Sequence, residues 1–382
     1  MANKDSSLWT KDFISITIVN LFLFLSFQMI VATLPLHVEN IGGTENVIGW
    51  MTGLATIAAF LIRPIAGLSL DKFGRRIVFV IGHIILIVTT YLLGVFNFVW
   101  FIIIIRFING IGWGIGSTTT MTVASDTIPL RRFGEGIGLF NLSNGLGMAI
   151  GPLIGLSILN ATSFYNVVTL GAVLGISALI LSQFIGYRKI ERPKEKEGDK
   201  RKFLPFEKET LGPSLVIGII TITYGAIIAF IPLYGLQEGV NNIGGYFTVY
   251  ALFLMFVRPM IGRMVDRKGY DIFVYSGIII LILSMFILSI SSNLILFLIS
   301  AALYGIGFGF LESTLLTMAV TFASEGKVGG ANATFFACFD GGIGLGSIIA
   351  GMLATALGYS RMYLILIVPL FLAAILYKFI KK

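Results

Sequence analysis

Two carboxyls fall well inside apolar runs of this sequence, Glu312 and Asp340. An ionisable group is expensive in hydrocarbon and is kept there for a partner or a function. A carboxyl in that setting is suited to taking up and releasing a proton. Arg106 lies in a third apolar run, as Arg106-Phe107-Ile108-Asn109-Gly110-Ile111-Gly112, and should face a polar cavity or a partner. Tyr304, Phe308 and Glu312 follow at intervals of four and so share a helix face. Other chemistries are poorly supplied. The single Cys338 forbids an internal disulfide, and two His leave no metal cluster to build. No Gly-Lys-Ser or Gly-Lys-Thr phosphate loop and no nucleophile constellation is present, so an enzyme is not expected, and neither is a cofactor.

The elements that must position these groups are membrane spans. Of 382 residues, 56% are hydrophobic and 12% charged, with mean hydropathy +0.93, where a soluble domain carries about 25% charged residues. A bilayer takes roughly 20 apolar residues per helix and tolerates apolar residues on every face. Apolar runs broken by charge or turn residues predict twelve helices, starting near Phe13, Val47, Ile77, Phe98, Gly134, Phe164, Leu211, Ile243, Ile272, Leu294, Val328 and Ser360. The 45 glycines suit closely packed membrane helices, and the alternation of a β-barrel is absent. The first run is long and has no small-residue cleavage pattern, so it is expected to stay as the first span.

Charge placement orients the spans. Of 27 Lys and Arg, 23 lie in the termini and even-numbered loops, Arg63, Arg106 and Arg258 lie inside apolar segments, and Arg361 alone marks an odd-numbered loop. The positive-inside rule then puts both termini in the cytoplasm. The net charge of +8 reads as topology anchors facing anionic lipid, not as a nucleic-acid surface. Residues 188–210 form the one long polar stretch, with nine basic and six acidic residues between Arg188 and Glu209, and read as a linker between domains 1–187 and 211–382.

The sequence repeats. Arg63-Pro64-Ile65-Ala66-Gly67 through Asp71 and Gly74 recurs as Arg258-Pro259-Met260-Ile261-Gly262 through Asp266 and Gly269, an offset of 195. The same offset maps Gly110, Gly112 and Gly114 onto Gly305, Gly307 and Gly309. Two six-helix halves in parallel orientation follow, an arrangement used for alternating access with the substrate held between rocking halves. Neither acid is duplicated: Glu312 maps to Ser117 and Asp340 to Gly145.

The loop Gly67-x-x-x-Asp71-Lys72-x-Gly74-Arg75-Arg76, with the twelve spans, two halves and central linker, resembles the major facilitator superfamily. The resemblance implies an all-α integral membrane fold of two six-helix parallel-repeat bundles. It also implies that Asp71 latches one side by meeting the start of span 11, with Arg75 and the acid Asp126 as partners. The second copy departs from the pattern, Tyr270 and Asp271 replacing the two arginines, so a latch at Asp266 should be weaker. Gly138, Gly147, Gly151-Pro152 and Gly155 resemble the superfamily's antiporter motif in span 5, where close glycines and a proline kink would give a surface for rocking. Arg106 resembles the family's membrane arginine linked to proton coupling, with Asn109 in place of the commoner Gln. In this family spans 1, 4, 7 and 10 surround the cavity, which makes Gln28, Asn109, Trp113, Ser117, Tyr224, Tyr304 and Phe308 the expected lining with Glu312.

Such an aromatic, mostly neutral wall with one acid suits an apolar or cationic ligand better than a sugar. The expected function is proton-coupled export of amphipathic small molecules by alternating access, working as a monomer in a bacterial or archaeal inner membrane. The alternative is a proton-linked importer of a specific small solute.

Overall fold

The computed structural model describes residues 8–129, 132–187, 208–323 and 328–380; the side chains at 71, 134, 259, 262, 263, 266–268, 328 and 329 lie outside the description. The latch acids Asp71 and Asp266 and most of the linker 188–210 therefore fall outside the described groups.

Among the described residues the chain is helical throughout. The first half holds α1 (Lys11–Asn40), α2 (Glu45–Phe73), α3 (Arg75–Leu92), α4 (Val99–Thr127), α5 (Phe133–Ala161) and α6 (Phe164–Ser182). After a short 3-10 turn at Lys208–Thr210 come α7 (Leu211–Gln237), α8 (Gly245–Lys268), α9 (Tyr270–Ser289), α10 (Leu294–Phe322), α11 (Val328–Leu357), α12 (Tyr359–Ile365) and α13 (Ile367–Ile380). The last two form one crossing. Pro369 has no N–H for the Ile365 carbonyl, and the helix breaks at Leu366, one residue beyond it. Among the described residues eleven segments are long and apolar enough to cross a membrane; the twelfth crossing, α8, has a shorter apolar stretch, Gly245–Arg258, because charges crowd its far end.

The repeat persists in three dimensions. The starts of α3, α4, α5 and α6 at Arg75, Val99, Phe133 and Phe164 recur 195 residues later at Tyr270, Leu294, Val328 and Tyr359. Single glycines join α2 to α3 and α8 to α9: Gly74 has φ 97° and Gly269 φ 78°, a region that a side chain would strain.

Small residues set the packing. In the first half, α5 lies on α1 through Gly147 against Phe24, Gly151 against Leu25 and Gln28, and Gly155 against Met29. In the second half, α11 lies on α7 through Gly342 against Gly218 and Gly346 against Ile222, and α7 is buried along most of its length. Backbones this close gain dispersion contacts that lipid cannot supply, which is what associates helices in a bilayer.

The halves touch along α2 with α11 and α5 with α8. A Cβ on Gly49 would stand 2.5 Å from the Ser347 carbonyl, and one on Gly53 2.7 Å from the Gly344 carbonyl. Across the other seam Thr248 donates to the Ala149 carbonyl at 2.6 Å, and Gly145 faces Met255. Toward the end that carries Arg75, Arg76 and Arg132, three glycines among the described residues lack such neighbours. Gly67 continues the Gly49–Gly53 face, Gly138 continues that of Gly145, and Gly341 that of Gly344, yet a Cβ on any of the three would meet nothing within 4 Å. Among the described residues the bundle is thus sealed at one end and more loosely packed toward the basic end.

Candidate transport site

Where the seal gives way, α2 and α11 are joined by an ion pair. Arg63 Nε donates to Asp340 Oδ2 at 2.9 Å, and Arg63 Nη1 donates to Ser117 Oγ of α4 at 3.3 Å. The repeat mate of Arg63 does the corresponding thing in the second half: Arg258 Nη2 of α8 donates to Glu312 Oε2 of α10 at 2.5 Å. Ser117 and Glu312 are themselves repeat mates, so the two halves hold one arrangement with one difference. The second half carries its acid on α10, whereas the first has a serine there and takes its acid from across the seam. In both pairs the acid is the more covered partner, with 12% and 13% of the side chain exposed against 31% for Arg63 and 35% for Arg258.

These arginines were not among the site residues expected from sequence, although both open the repeated Arg-Pro motif. Their presence corrects the expectation of a mostly neutral wall with one acid. The accessible groups of both pairs are guanidiniums.

Beyond Glu312 lies an aromatic cluster. Tyr224 of α7 stacks at 5.1 Å from Phe308 and 6.4 Å from Tyr304, and Tyr250 of α8, missed from sequence, joins them at 5.7 Å from Tyr224. Tyr304 Oη and Thr223 Oγ1 share a hydrogen bond of 2.7 Å. Tyr304 and Phe308 are wholly buried, so they form the floor behind Glu312 and not an accessible lining. In the first half Trp113 is half-buried and stacks on Phe27 of α1 at 3.7 Å. Gln28, also half-buried, packs against Gly151.

Asn109 departs from the expected lining. It is 1% exposed and turns to α3, where its Nδ2 donates to Thr89 Oγ1 at 3.0 Å. Its Oδ1 accepts from Arg106 Nη1 at 2.6 Å, and the Arg106 guanidinium lies 5.3 Å from the Phe27 ring centroid. Arg106 is itself buried, and its Nε has no hydrogen-bond partner among the described residues. Asn109 is therefore the positioning group for Arg106.

At the basic end Arg75 Nε donates to Asp126 Oδ2 at 3.0 Å and Nη1 to the Leu70 carbonyl at 3.0 Å, tying α3 to α4 and to the end of α2. Arg76 grips Gln183 Oε1 at 2.8 Å. The repeat mates of Arg75 and Asp126 are Tyr270 and Thr321, and between them stands a neutral hydrogen bond of 3.4 Å.

The glycines of the antiporter motif are placed differently from expectation. Gly147, Gly151 and Gly155 serve the α1–α5 contact inside the first half, and the seam with α8 uses Gly145, Ala149, Leu153 and Leu156. A rigid α1–α5 pair follows, not a sliding surface. Gly155→Leu is expected to destabilise by about 2 kcal/mol or more, since its Cβ would stand 2.9 Å from the Met29 carbonyl. Gly138→Ala, with open space around it, should change stability by less than about 1 kcal/mol. Thermal unfolding of the two variants in detergent compares them.

A sequence profile described as Major Facilitator Superfamily matches residues 16–339 and 240–382. The chain belongs to that superfamily. It is similar to the staphylopine export protein of Staphylococcus aureus, with 28% identity over 386 residues covering 95% of this chain and 94% of that one. It is also similar to multidrug resistance protein 1 of Bacillus subtilis, with 24% identity over 358 residues and 89% of each chain covered. Among solved structures, the D323A mutant of the nucleoside transporter NupG superposes with a TM-score of 0.78 at 14% identity, covering 97% of this chain and all of the other. That last likeness shows the fold alone. As a superfamily member the chain is a multi-pass membrane transporter of small molecules.

Proposed function

We propose that this transporter exports amphipathic small molecules in exchange for protons, its halves 1–187 and 211–382 rocking as a monomer about the α2–α11 and α5–α8 seams. The basic end faces the cytoplasm of a bacterium or archaeon, as do both termini, so the cleft at that loosely packed end is the cytoplasmic entrance. The observation that carries the reading is the Arg258–Glu312 pair, set between that cleft and the Tyr224–Phe308 cluster. Two full-length relatives named for export and for drug resistance support the direction.

Glu312 does the coupling work in this reading. Ionised, it is held by Arg258; protonated, it loses the charge that holds it, and the guanidinium is freed toward the cleft. Solute binding and protonation then act through one pair of groups, and each biases the rocking equilibrium by its differential affinity for the two states. Asp340 joins the halves and sets the rate of rocking.

Inside-out vesicles carrying the full chain test this with ethidium as the probe. An imposed acidic interior should drive ethidium uptake, and a protonophore should abolish it. Glu312→Gln keeps the amide oxygen toward Arg258 but cannot ionise; it should lose uphill uptake by about tenfold or more while keeping downhill exchange. Asp340→Asn should slow uptake and keep its dependence on the gradient. Uphill uptake in Glu312→Gln, or loss of gradient dependence only in Asp340→Asn, assigns the proton elsewhere.

A further inference from the structure

The charges exposed in the cleft say which solutes it favours. We infer that Arg63 and Arg258 form a carboxylate-binding site, and that the preferred substrates are amphipathic solutes bearing a carboxylate, not lipophilic cations. The inference rests on the transport reading only in placing the solute in this cleft.

Three observations carry it. The arginines are the accessible members of their pairs, each about a third exposed, while Glu312 and Asp340 are largely covered behind them. Their donors are underused: Arg63 engages Nε and Nη1, and Arg258 engages Nη2, which leaves one nitrogen of the first and two of the second without a partner among the described residues. A guanidinium presents its donors in a fixed planar fork that fits a carboxylate in bidentate fashion. Third, the repeat gives the two arginines equivalent positions on α2 and α8, one on each half. The half-buried Trp113–Phe27 stack offers a flat apolar surface for the rest of the molecule.

The site has a built-in competitor. Asp340 reaches Arg63 from the other half, so a solute carboxylate arriving at Arg63 contends with the carboxylate that ties the halves together. Binding and release of the seam are then one exchange of ion pairs, with no bond made or broken. Glu312 stands to Arg258 in the same way, but within one half.

Equilibrium binding to the full chain in lipid nanodiscs tests this without any gradient, with dansylglycine, its neutral amide and ethidium as probes. Dansylglycine should bind about tenfold more tightly than the amide. Arg63→Gln and Arg258→Gln should each remove most of that preference while leaving amide affinity within about twofold, and Arg63→Lys should restore part of it. Asp340→Asn should tighten dansylglycine several-fold, because the internal competitor is gone; a merely structural Asp340 would weaken both probes instead. Equal binding of acid and amide to the unaltered protein, or equal loss of both in the arginine variants, overturns the inference. So does tighter binding of ethidium than of dansylglycine. Failure of proton-driven uptake in vesicles for dansylglycine and ethidium alike bears on the transport reading alone, since the acid-to-amide ratio is measured at equilibrium.

Discussion

Glu312→Leu is expected to remove about 2–4 kcal/mol of folded stability, and the double change Glu312→Leu with Arg258→Met is expected to restore most of it. The single change strands a guanidinium within the membrane, and breaking a buried pair costs about 3–5 kcal/mol. The figure is lowered here because Arg258 keeps 35% of its side chain exposed. Replacing both partners by apolar groups of similar size is often close to neutral. Stability and transport should therefore separate: the double variant folds and transports nothing against a gradient. Thermal unfolding in detergent, set beside vesicle uptake, reads both quantities. A double variant no more stable than the single one would mean that Arg258 was never the source of the cost.

The second large effect is conformational. Gly53→Leu should wedge the sealed end open, because its Cβ would already stand 2.7 Å from the Gly344 carbonyl and the leucine adds three more carbons. The obstacle is the Ile348 side chain at 2.6 Å together with backbone of the other half, and that backbone yields only by moving as a body. The bundle should then rest with its opposite end open. Gly305→Leu has the same chemistry, with a Cβ 2.6 Å from the Tyr250 carbonyl, but its neighbour belongs to its own half, so it should destabilise instead of reorienting. Spin labels on Asn46→Cys and Thr355→Cys, with Cys338→Ser, span the sealed end of α2 and α11. Their separation should lengthen in Gly53→Leu. An unchanged distance with full stability would contradict the packing at this seam.

Much of the fold was legible because hydrocarbon selects for apolar runs. Each of the twelve crossings begins within two residues of its expected start, and differences such as Lys11 for Phe13 or Arg75 for Ile77 arise because helices continue through charged ends outside the hydrocarbon. The site was legible as a list of groups but not as pairs. Arg63 and Asp340 lie 277 residues apart, and no periodicity records which arginine meets which acid. The repeat holds a usable signal, since Arg63 and Arg258 share the opening of one motif. Asn109 shows a geometric limit. Steps of four drift about 40° each around a helix, so over Asn109, Trp113 and Ser117 the stripe turns from α3 toward α2 and α11. Three glycines of the α5 motif, Gly147, Gly151 and Gly155, pack on α1, a neighbour that spacing does not name because it reveals a smooth face and not what lies on it.

The unequal arginine pairs also limit how the molecule could be assembled from interchangeable parts. Two copies of the first half would bring two Arg63 with Ser117 and Gly145 beside them, and neither acid. Two copies of the second would bring two arginines against four carboxylates, Glu312 and Asp340 from each. Only one copy of each balances the cleft, with Asp340 of the second serving Arg63 of the first. A homodimer of six-helix half-chains could reproduce the outline of this bundle but not its charge count, so the two halves are obliged to be made in equal number, as a single chain ensures.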